Sequence, residues 1–292
     1  MTSQSQDLST ATLLRLLAEA DTRSVTIEEL QQLTWPLFLG LRGIGVAVPT
    51  GTILYRARAA PDRPFGNVKE LSYPPIQSHL QRASRPGRSM FYACSEFFAP
   101  IFELDFGPGE RFIQSSWRVK TTLSLTTTGY QQSVVGGRNS FRSYPDLSVA
   151  PVPCHLDVGG TPIDLVQHCF SQWFTERVPR AEEHRYKRTV AIAELLLLGR
   201  RREGDETAIA PPRVAWDGLM YPSVQARASA HNVALFPQVA DEKVVFESAE
   251  HFELVARRVG QSGPTYDAVR LGRAVADDQG RLEWVKAEGE LV

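Results

Sequence analysis

The sequence has little of what marks several large classes of protein. It contains three cysteines in 292 residues, Cys94, Cys154 and Cys169, and no C-x-x-C pair. An odd number of cysteines without that spacing indicates reduced thiols, so we expect a cytoplasmic protein. No apolar run approaches the roughly 20 residues that span a bilayer. The polar opening, MTSQSQDLST, also lacks the basic-then-apolar pattern of a secretory signal. These absences predict no membrane association.

A charge excess is missing as well. Lysine and arginine number 32, aspartate and glutamate number 33, and the formal net charge at pH 7 is −1. Proteins that bind duplex nucleic acid usually carry a strong basic excess, so the sequence predicts no direct nucleic-acid binding. The hydrophobic content of 42% and the charged content of 22% are ordinary for a globular chain with a sizeable core.

Several short functional motifs are also missing. The sequence has no G-x-S-x-G of an acyl hydrolase and no G-x-x-x-x-G-K-[ST] phosphate loop. Gly43-Ile44-Gly45 lacks the third glycine of a dinucleotide fingerprint. Cys154-His155 and His168-Cys169 could suggest zinc, but adjacent side chains point in different directions and the C-x₂₋₄-C spacing is missing. We therefore predict no metal site and no Rossmann-type cofactor site.

One stretch combines residue types that suit a nucleotide site. Arg82–Glu103, RASRPGRSMFYACSEFFAPIFE, opens with basic residues, continues as a predicted strand at Met90–Ala93 and ends in a short predicted helix. The turn between a strand and a helix leaves polar groups at a rigid edge, which is a common place for a site. Arg82, Tyr92 and Glu103 could respectively hold a phosphate, stack on a planar ring and stabilise a developing cation.

Two other stretches add polar residues beside predicted strands. Far downstream, GLMYPS ends on Ser223 and NVALF begins with Asn232, which is either a binding residue or a cap at the strand entry. Upstream, Thr52–Arg58 alternates and carries β-branched and aromatic residues, as a strand does. Arg56 lies on this strand and either faces the same cleft or makes a structural salt bridge.

Together these stretches resemble the two signature blocks of RES-domain proteins. The first block is the R-x-S-x-x-G-x-x-x-F-Y-A run that closes on F-E, and the second is D-G-x-x-Y-P-S followed by N-V-A-L-F. Tyr92 follows Arg82 by ten positions and Glu103 follows Tyr92 by eleven, as in the family's first block. The similarity covers roughly residues 50–250. Members of the family are bacterial toxins with a fold similar to ADP-ribosyltransferases; they attack NAD and are usually neutralised by an Xre-like antitoxin.

The resemblance implies a role for each matching residue. Glu103 would stabilise the positive charge that develops on the ribose, by the electrostatic logic of glycoside hydrolysis. Arg82 would hold the phosphates and Tyr92 would stack on or border the nicotinamide ring. Ser223 would hydrogen-bond the nicotinamide ribose or carboxamide. The implied substrate-binding set is Arg56, Arg82, Tyr92, Ser223 and Asn232. NAD would be a consumed substrate, so no cofactor is expected.

Three functions follow from these expectations. The first is a cytoplasmic toxin that cleaves the nicotinamide–ribose bond of NAD, with water or phosphate as acceptor. The second is a transferase that ADP-ribosylates a macromolecule. The third is an inactive RES-type binding module, which the departures from the family keep open: Ala83 and Ser84 stand where an aromatic residue and Asn are common. An Xre-like antitoxin is the expected partner, and a homodimer is possible.

The order of patterns predicts an α+β protein, with strands at both ends and helices in the middle. The resemblance implies ADP-ribosyltransferase-like mixed sheets. We expect an N-terminal helical appendage over residues 1–40, serving as core cover or for self-association, and a RES domain over residues 41–292 with an insertion near 128–161. Residues 200–212 are expected to be loop. Lys243–Glu247 and Phe252–Val259 are expected to be separate strands, and Tyr266–Ala276 and Leu282–Ala287 a terminal hairpin.

Overall fold

A computed structural model describes residues 8–38, 45–61, 64–97, 99–129, 162–202, 205–210, 215–223, 230–260 and 263–291. The insertion expected near 128–161 lies outside the described residues apart from its first two positions. Within the described ranges the chain is a mixed α/β protein with a large, mostly antiparallel sheet. Among these residues, no helix has both the length and the apolar character needed to cross a membrane.

The described helices lie mainly in the first and middle thirds of the chain. They are α1 (Thr10–Glu19), α2 (Ile27–Phe38), α3 (Val68–Leu71), α4 (Ala99–Glu103), α5 (Pro162–Thr175), α6 (Lys187–Leu198) and α7 (Pro237–Lys243), with a 3₁₀ helix at Arg180–Tyr186.

The strands are β1 (Gly45–Val48), β2 (Ile53–Ala59), β3 (Phe91–Cys94), β4 (Arg111–Val119), β5 (Leu123–Thr127), β6 (Arg200–Arg202), β7 (Asp205–Ala210), β8 (Gly218–Pro222), β9 (His231–Leu235), β10 (Val244–Gly260), β11 (Gly263–Ala276) and β12 (Leu282–Leu291).

The sheet brings distant parts of the chain together. Its order is β1-β5-β8-β9-β3-β2-β4-β10-β11-β12, and β6 and β7 form a separate pair. β5 and β8 run parallel. The four central strands β8, β9, β3 and β2 carry the sequence blocks singled out above. In their register, Asn232 on β9 lies between Cys94 on β3 and Tyr221 on β8.

Local capping explains where the first two helices begin. The Thr12 N–H donates to the Ser9 hydroxyl at 3.2 Å, so Ser9 caps α1. At α2 the Thr26 N–H donates to Glu29 Oε2 at 2.7 Å, and the Glu29 N–H donates to Thr26 Oγ1 at 3.1 Å. This reciprocal pair is the capping box that T-x-x-E predicts.

The N-terminal helices belong to the core. Leu14 and Leu17 of α1 and Leu30 of α2 are fully buried in one apolar cluster with residues of α5 and α6, among them Phe170 and Val190. Because the apolar stripes of α1 and α2 are buried within the chain, these helices serve as core cover, one of the two roles expected for them. The boundary at residue 40 stays a prediction.

Two expectations about the strands are wrong. Residues 200–212 are not all loop, because β6 and β7 pair antiparallel within them. The two strands expected between Lys243 and Val259 are the single strand β10, which pairs with both β4 and β11. Register shifts such as the one between Phe246 and Ser248 interrupt its alternation, which is why the pattern predicts two shorter strands. The terminal hairpin of β11 and β12 is confirmed.

Candidate active site

A cavity of about 580 Å³ lies beside the central strands and brings five of the six predicted site residues together. Its volume is in the range of pockets that hold small molecules and nucleotides. The predicted residues that line it are Arg56, Arg82, Tyr92, Glu103 and Asn232. They come from β2, the loop before β3, β3 itself, the end of α4, and β9.

The sixth predicted residue, Ser223, reaches the site through a hydrogen bond. Its hydroxyl donates to Glu103 Oε1. Ser223 directly follows β8 and is 1% exposed, whereas Glu103 is the last residue of α4 and borders the cavity. The bond therefore orients a carboxylate at the cavity wall.

Arg82 is held by the end of a helix. Its Nη2 donates to the Glu176 carbonyl at 2.6 Å and its Nη1 to the Trp173 carbonyl at 3.4 Å, and its guanidinium lies 5.2 Å from the centre of the Tyr186 ring. The last carbonyls of a helix lack partners within it, and a cation suits that end of the helix dipole. Arg82 thus caps α5 and lines the cavity at the same time.

Tyr92 lines the cavity, while its hydroxyl bonds the loop before β3. The phenol oxygen accepts a hydrogen bond from the Ala83 N–H at 3.1 Å and bonds the Ser84 hydroxyl at 3.0 Å. Burial raises the pKa of Tyr92 to about 12, so the phenol stays protonated. The contact fixes the loop that carries Arg82. It also gives Ala83 and Ser84, where the chain departs from the family pattern, a local structural role.

Arg56 faces the cavity and forms no salt bridge within the described residues. Its Nε donates to the Leu71 carbonyl at 3.1 Å and its Nη1 to the Tyr92 carbonyl at 2.7 Å. Burial, and then the nearby charge of Arg58, lowers the pKa of Arg56 to about 10. The group remains a cation at neutral pH. Of the two alternatives that the sequence leaves open for Arg56, the cavity position is the one found.

Asn232 offers a hydrogen-bond donor that the described residues leave unused. The Cys94 thiol donates to Asn232 Oδ1 at 3.0 Å, and Asn232 Nδ2 is buried without a partner among the described residues. Burial, followed by the charge of Glu103, raises the pKa of the Cys94 thiol well above its usual value, so the thiol keeps its proton. A buried donor without a partner costs about 1–3 kcal/mol, and an acceptor atom on a ligand would remove that cost.

The sequence reasoning missed Arg58, Cys94 and Tyr221, which also line the cavity. Arg58 could have been found, because it stands two positions after Arg56 on the same predicted strand and therefore on the same face. Cys94 and Tyr221 become site residues through their register with Asn232. The pairing of Cys94 with Asn232 joins positions 138 apart and has no local signal in the sequence, whereas Tyr221 pairs with Asn232 on the next strand and stands within the second motif block.

Comparisons with known proteins give no independent evidence for the family or the function of this chain. No family model, curated protein or solved structure matches the chain. The similarity to RES-domain proteins therefore rests on the motifs themselves. In the part of the chain that the structure describes, no three His, Cys, Asp or Glu side chains lie close enough to hold a metal ion. The cavity combines a carboxylate, cationic side chains and a buried hydrogen-bond donor.

Proposed function

We infer that this chain binds NAD in the cavity and cleaves the bond between nicotinamide and ribose. The observation that carries this proposal is the convergence of Glu103 with Arg56, Arg82, Tyr92 and Asn232 on one cavity of about 580 Å³. A carboxylate oriented by a hydroxyl, cationic groups near it and an aromatic ring are the groups that a bound pyridine dinucleotide requires. The ADP-ribosyltransferase-like fold and membership of the RES family belong to the same proposal, and the two motif blocks support them.

The chemistry places its main demand on the ribose. When the bond from the ribose anomeric carbon to the pyridine nitrogen breaks, the electron pair goes to that nitrogen and nicotinamide leaves neutral. No strong general acid is needed for this departure. Positive charge then develops on the ribose, and the Glu103 carboxylate, held by Ser223, stabilises it. Water then bonds to the anomeric carbon and releases a proton to solvent, or a phosphate oxygen bonds there instead, which completes the reaction.

The remaining residues hold the substrate in place. The Tyr92 ring borders the nicotinamide; its phenol, protonated and bonded to the Arg82 loop, takes no part in proton transfer. Asn232 Nδ2 donates to an acceptor on the nicotinamide half of NAD, since it has no partner among the described residues. Arg82 and Arg56 supply positive charge for the phosphates.

Product analysis tests the function and separates its variants. The purified chain is incubated with NAD in phosphate-free and in phosphate buffer, and the products are separated by chromatography. We expect nicotinamide together with ADP-ribose or its phosphate ester. Label from NAD that appears on macromolecules of a cell lysate would favour an ADP-ribosyltransferase instead. Intact NAD after long incubation would contradict the proposal and favour a binding module.

The toxin reading and its partner can be examined in cells. A protein that degrades NAD should stop growth when it is expressed, and an Xre-like antitoxin encoded beside it should restore growth by occupying or blocking the cavity. Expression of Glu103→Ala at the same level provides the control and should be harmless. Normal growth with the unaltered chain at a measured intracellular level would contradict the toxin reading.

A further inference from the structure

Arg56 and Arg58 form a pair of cations on one face of β2. They are two positions apart on the strand, so their side chains point the same way, and both line the cavity. Main-chain carbonyls hold both guanidinium groups: Arg56 donates to Leu71 and Tyr92, and Arg58 Nη1 donates to Glu70. Within the described ranges neither arginine makes a salt bridge. The pair therefore leaves positive charge facing the cavity.

The nearby Glu70 carboxylate offsets this charge only in part. The Glu70 carboxylate, which acts on Arg58 from nearby, accepts hydrogen bonds from the Gly66 and Asn67 N–H groups at 2.7 and 3.1 Å as part of the cap of α3. Two partly desolvated cations side by side destabilise each other, and an anion with two charges would relieve both. Guanidinium groups suit phosphate oxygens because they donate in a planar fork.

A second cavity, of about 760 Å³, adjoins the first across Arg58 and Phe65, which line both. The Arg58 guanidinium lies 5.6 Å from the centre of the Phe65 ring. Lys69 and Tyr73 also line the second cavity. A ligand that extends from the first cavity into the second must pass Arg58 and Phe65. An extended ligand with its anionic part in the middle and a planar group at each end fits this sequence of surfaces.

We propose that Arg56 and Arg58 bind the diphosphate bridge of a dinucleotide, and that the second cavity receives the purine nucleoside beyond the bridge. That the dinucleotide is NAD rests on the proposed function. The diphosphate site itself rests on the arginine pair and the two adjoining cavities.

ADP is a direct probe, because it carries the diphosphate and the purine nucleoside without nicotinamide. Titration calorimetry should show saturable ADP binding that weakens as salt is raised and that inorganic pyrophosphate competes away. Adenosine alone should bind at least about 10-fold more weakly. Absence of saturable ADP binding, or ADP binding that excess pyrophosphate leaves unchanged, would overturn the inference without any variant.

Variants locate the site. Arg58→Gln should weaken ADP binding about 10-fold or more, and Arg58→Lys should lie between it and the unaltered chain. Arg118→Gln is the matched control, because Arg118 lies on the neighbouring strand β4 and pairs with Glu247 at the surface. It should bind ADP as the unaltered chain does. Equal ADP affinity of a folded Arg58→Gln variant, or of Arg58→Lys if the glutamine variant does not fold, would overturn the inference.

Turnover separates this inference from the proposed function. With an active chain, Arg58→Gln should raise KM for NAD but leave KM for nicotinamide riboside unchanged, because the riboside carries neither phosphate of the bridge. NAD cleavage with an unaltered KM in Arg58→Gln would contradict the proposed diphosphate site but not the proposed function. Binding of ADP as described, with no release of nicotinamide from NAD, would contradict the proposed function but not the proposed diphosphate site.

Discussion

Ser223 donates a hydrogen bond to Glu103 across 120 positions of sequence. The serine follows β8 and is 1% exposed, and its own N–H donates to the Ala230 carbonyl at 3.0 Å. The backbone that carries the hydroxyl is therefore held in place. The glutamate ends the five-residue helix α4, whose Ile101 and Phe102 are buried. A short buried helix and a central strand thus hold the two ends of one charge-assisted bond.

Removal of this bond should slow the reaction more than it weakens binding. A hydrogen bond to a charged group contributes about 1.5–3 kcal/mol, which corresponds to about 10- to 100-fold in rate. We expect Ser223→Ala to lower kcat for NAD by that factor, and Ser223→Thr, which keeps a hydroxyl, to lower it less. Steady-state kinetics with a thermal-unfolding control measures this. An unchanged kcat in Ser223→Ala would mean that the serine does not orient the carboxylate.

Cys94 should act through Asn232. The thiol donates to Asn232 Oδ1 and thereby fixes the orientation of the amide. Cys94→Ala removes the donor and should lower kcat/KM for NAD about 2- to 10-fold, the value of one neutral hydrogen bond. Cys94→Ser keeps a donor and should remain close to the unaltered chain.

Cys169 provides a matched control for Cys94. It is equally buried but packs in the helical core. Cys169→Ala should lower stability and leave kcat/KM unchanged. If both alanine variants lose activity in proportion to their loss of stability, or if serine and alanine at position 94 behave alike, Cys94 is a packing residue and nothing more.

The candidate site could be predicted in part because its residues stand in two compact blocks. Arg82, Tyr92 and Glu103 lie on one strand–helix unit, and the motif spacing is enough to select them. The actual use of the Tyr92 hydroxyl could not be predicted, because its partners depend on how the loop at Ala83 folds back on β3. The role of Arg82 at the end of α5 could not be predicted either, since its carbonyl partner at Glu176 lies 94 positions downstream.

The fold, like the site, could be predicted only in part from the sequence. Local chemistry was sufficient for α1, α2 and the β11–β12 hairpin, because caps and turn residues act within a few positions. It was insufficient for β10, whose bulges come from pairing on both edges. It was also insufficient for the short strand β1, whose partner β5 lies about 80 positions away.

The pH dependence of the free energy of unfolding should show the effect of the buried His231 side chain. Its side chain is 5% exposed, and burial lowers its pKa from 6.5 to about 4. Between these pH values the unfolded chain binds a proton that the folded chain does not. The free energy of unfolding should therefore fall as the pH falls through this window, by about 3 kcal/mol from this group.

Urea unfolding at several pH values measures the effect. His231→Gln should flatten the curve between pH 6.5 and 4. A curve with the same slope in His231→Gln would show that the imidazole is not held neutral by burial. Since His231 stays neutral in the folded chain, we also expect no pH dependence of activity from this residue near pH 6.5.

Glu194 should be important for stability although it lies outside the cavity. It is buried on α6 and binds Arg85, Arg88 at 3.0 Å and Gln31 at 2.7 Å, which ties α2 and the loop after Arg82 to the helical core. Removal of one partner from a buried ion pair lowers the free energy of unfolding by about 3–5 kcal/mol. Glu194→Ala should lower the free energy of unfolding by that amount in urea titrations.

Glu28 supplies the comparison for Glu194. It also pairs with Arg85, at 2.6 Å, but its side chain is 41% exposed, and exposed pairs contribute about 0–1 kcal/mol. Glu28→Ala should therefore have a small effect. Similar losses in the two variants would contradict the account of the buried network.

The most direct measurement is the rate of nicotinamide release from NAD by the unaltered chain and by Glu103→Gln, side by side. The change removes the charge and keeps the shape, and Glu110→Gln, at an exposed glutamate, serves as control. We expect release by the unaltered chain and by Glu110→Gln, and a rate lower by on the order of 100-fold or more in Glu103→Gln, with all three folded. Equal release by Glu103→Gln and the unaltered chain, or none by either, would contradict the assignment of this cavity as a site of NAD cleavage.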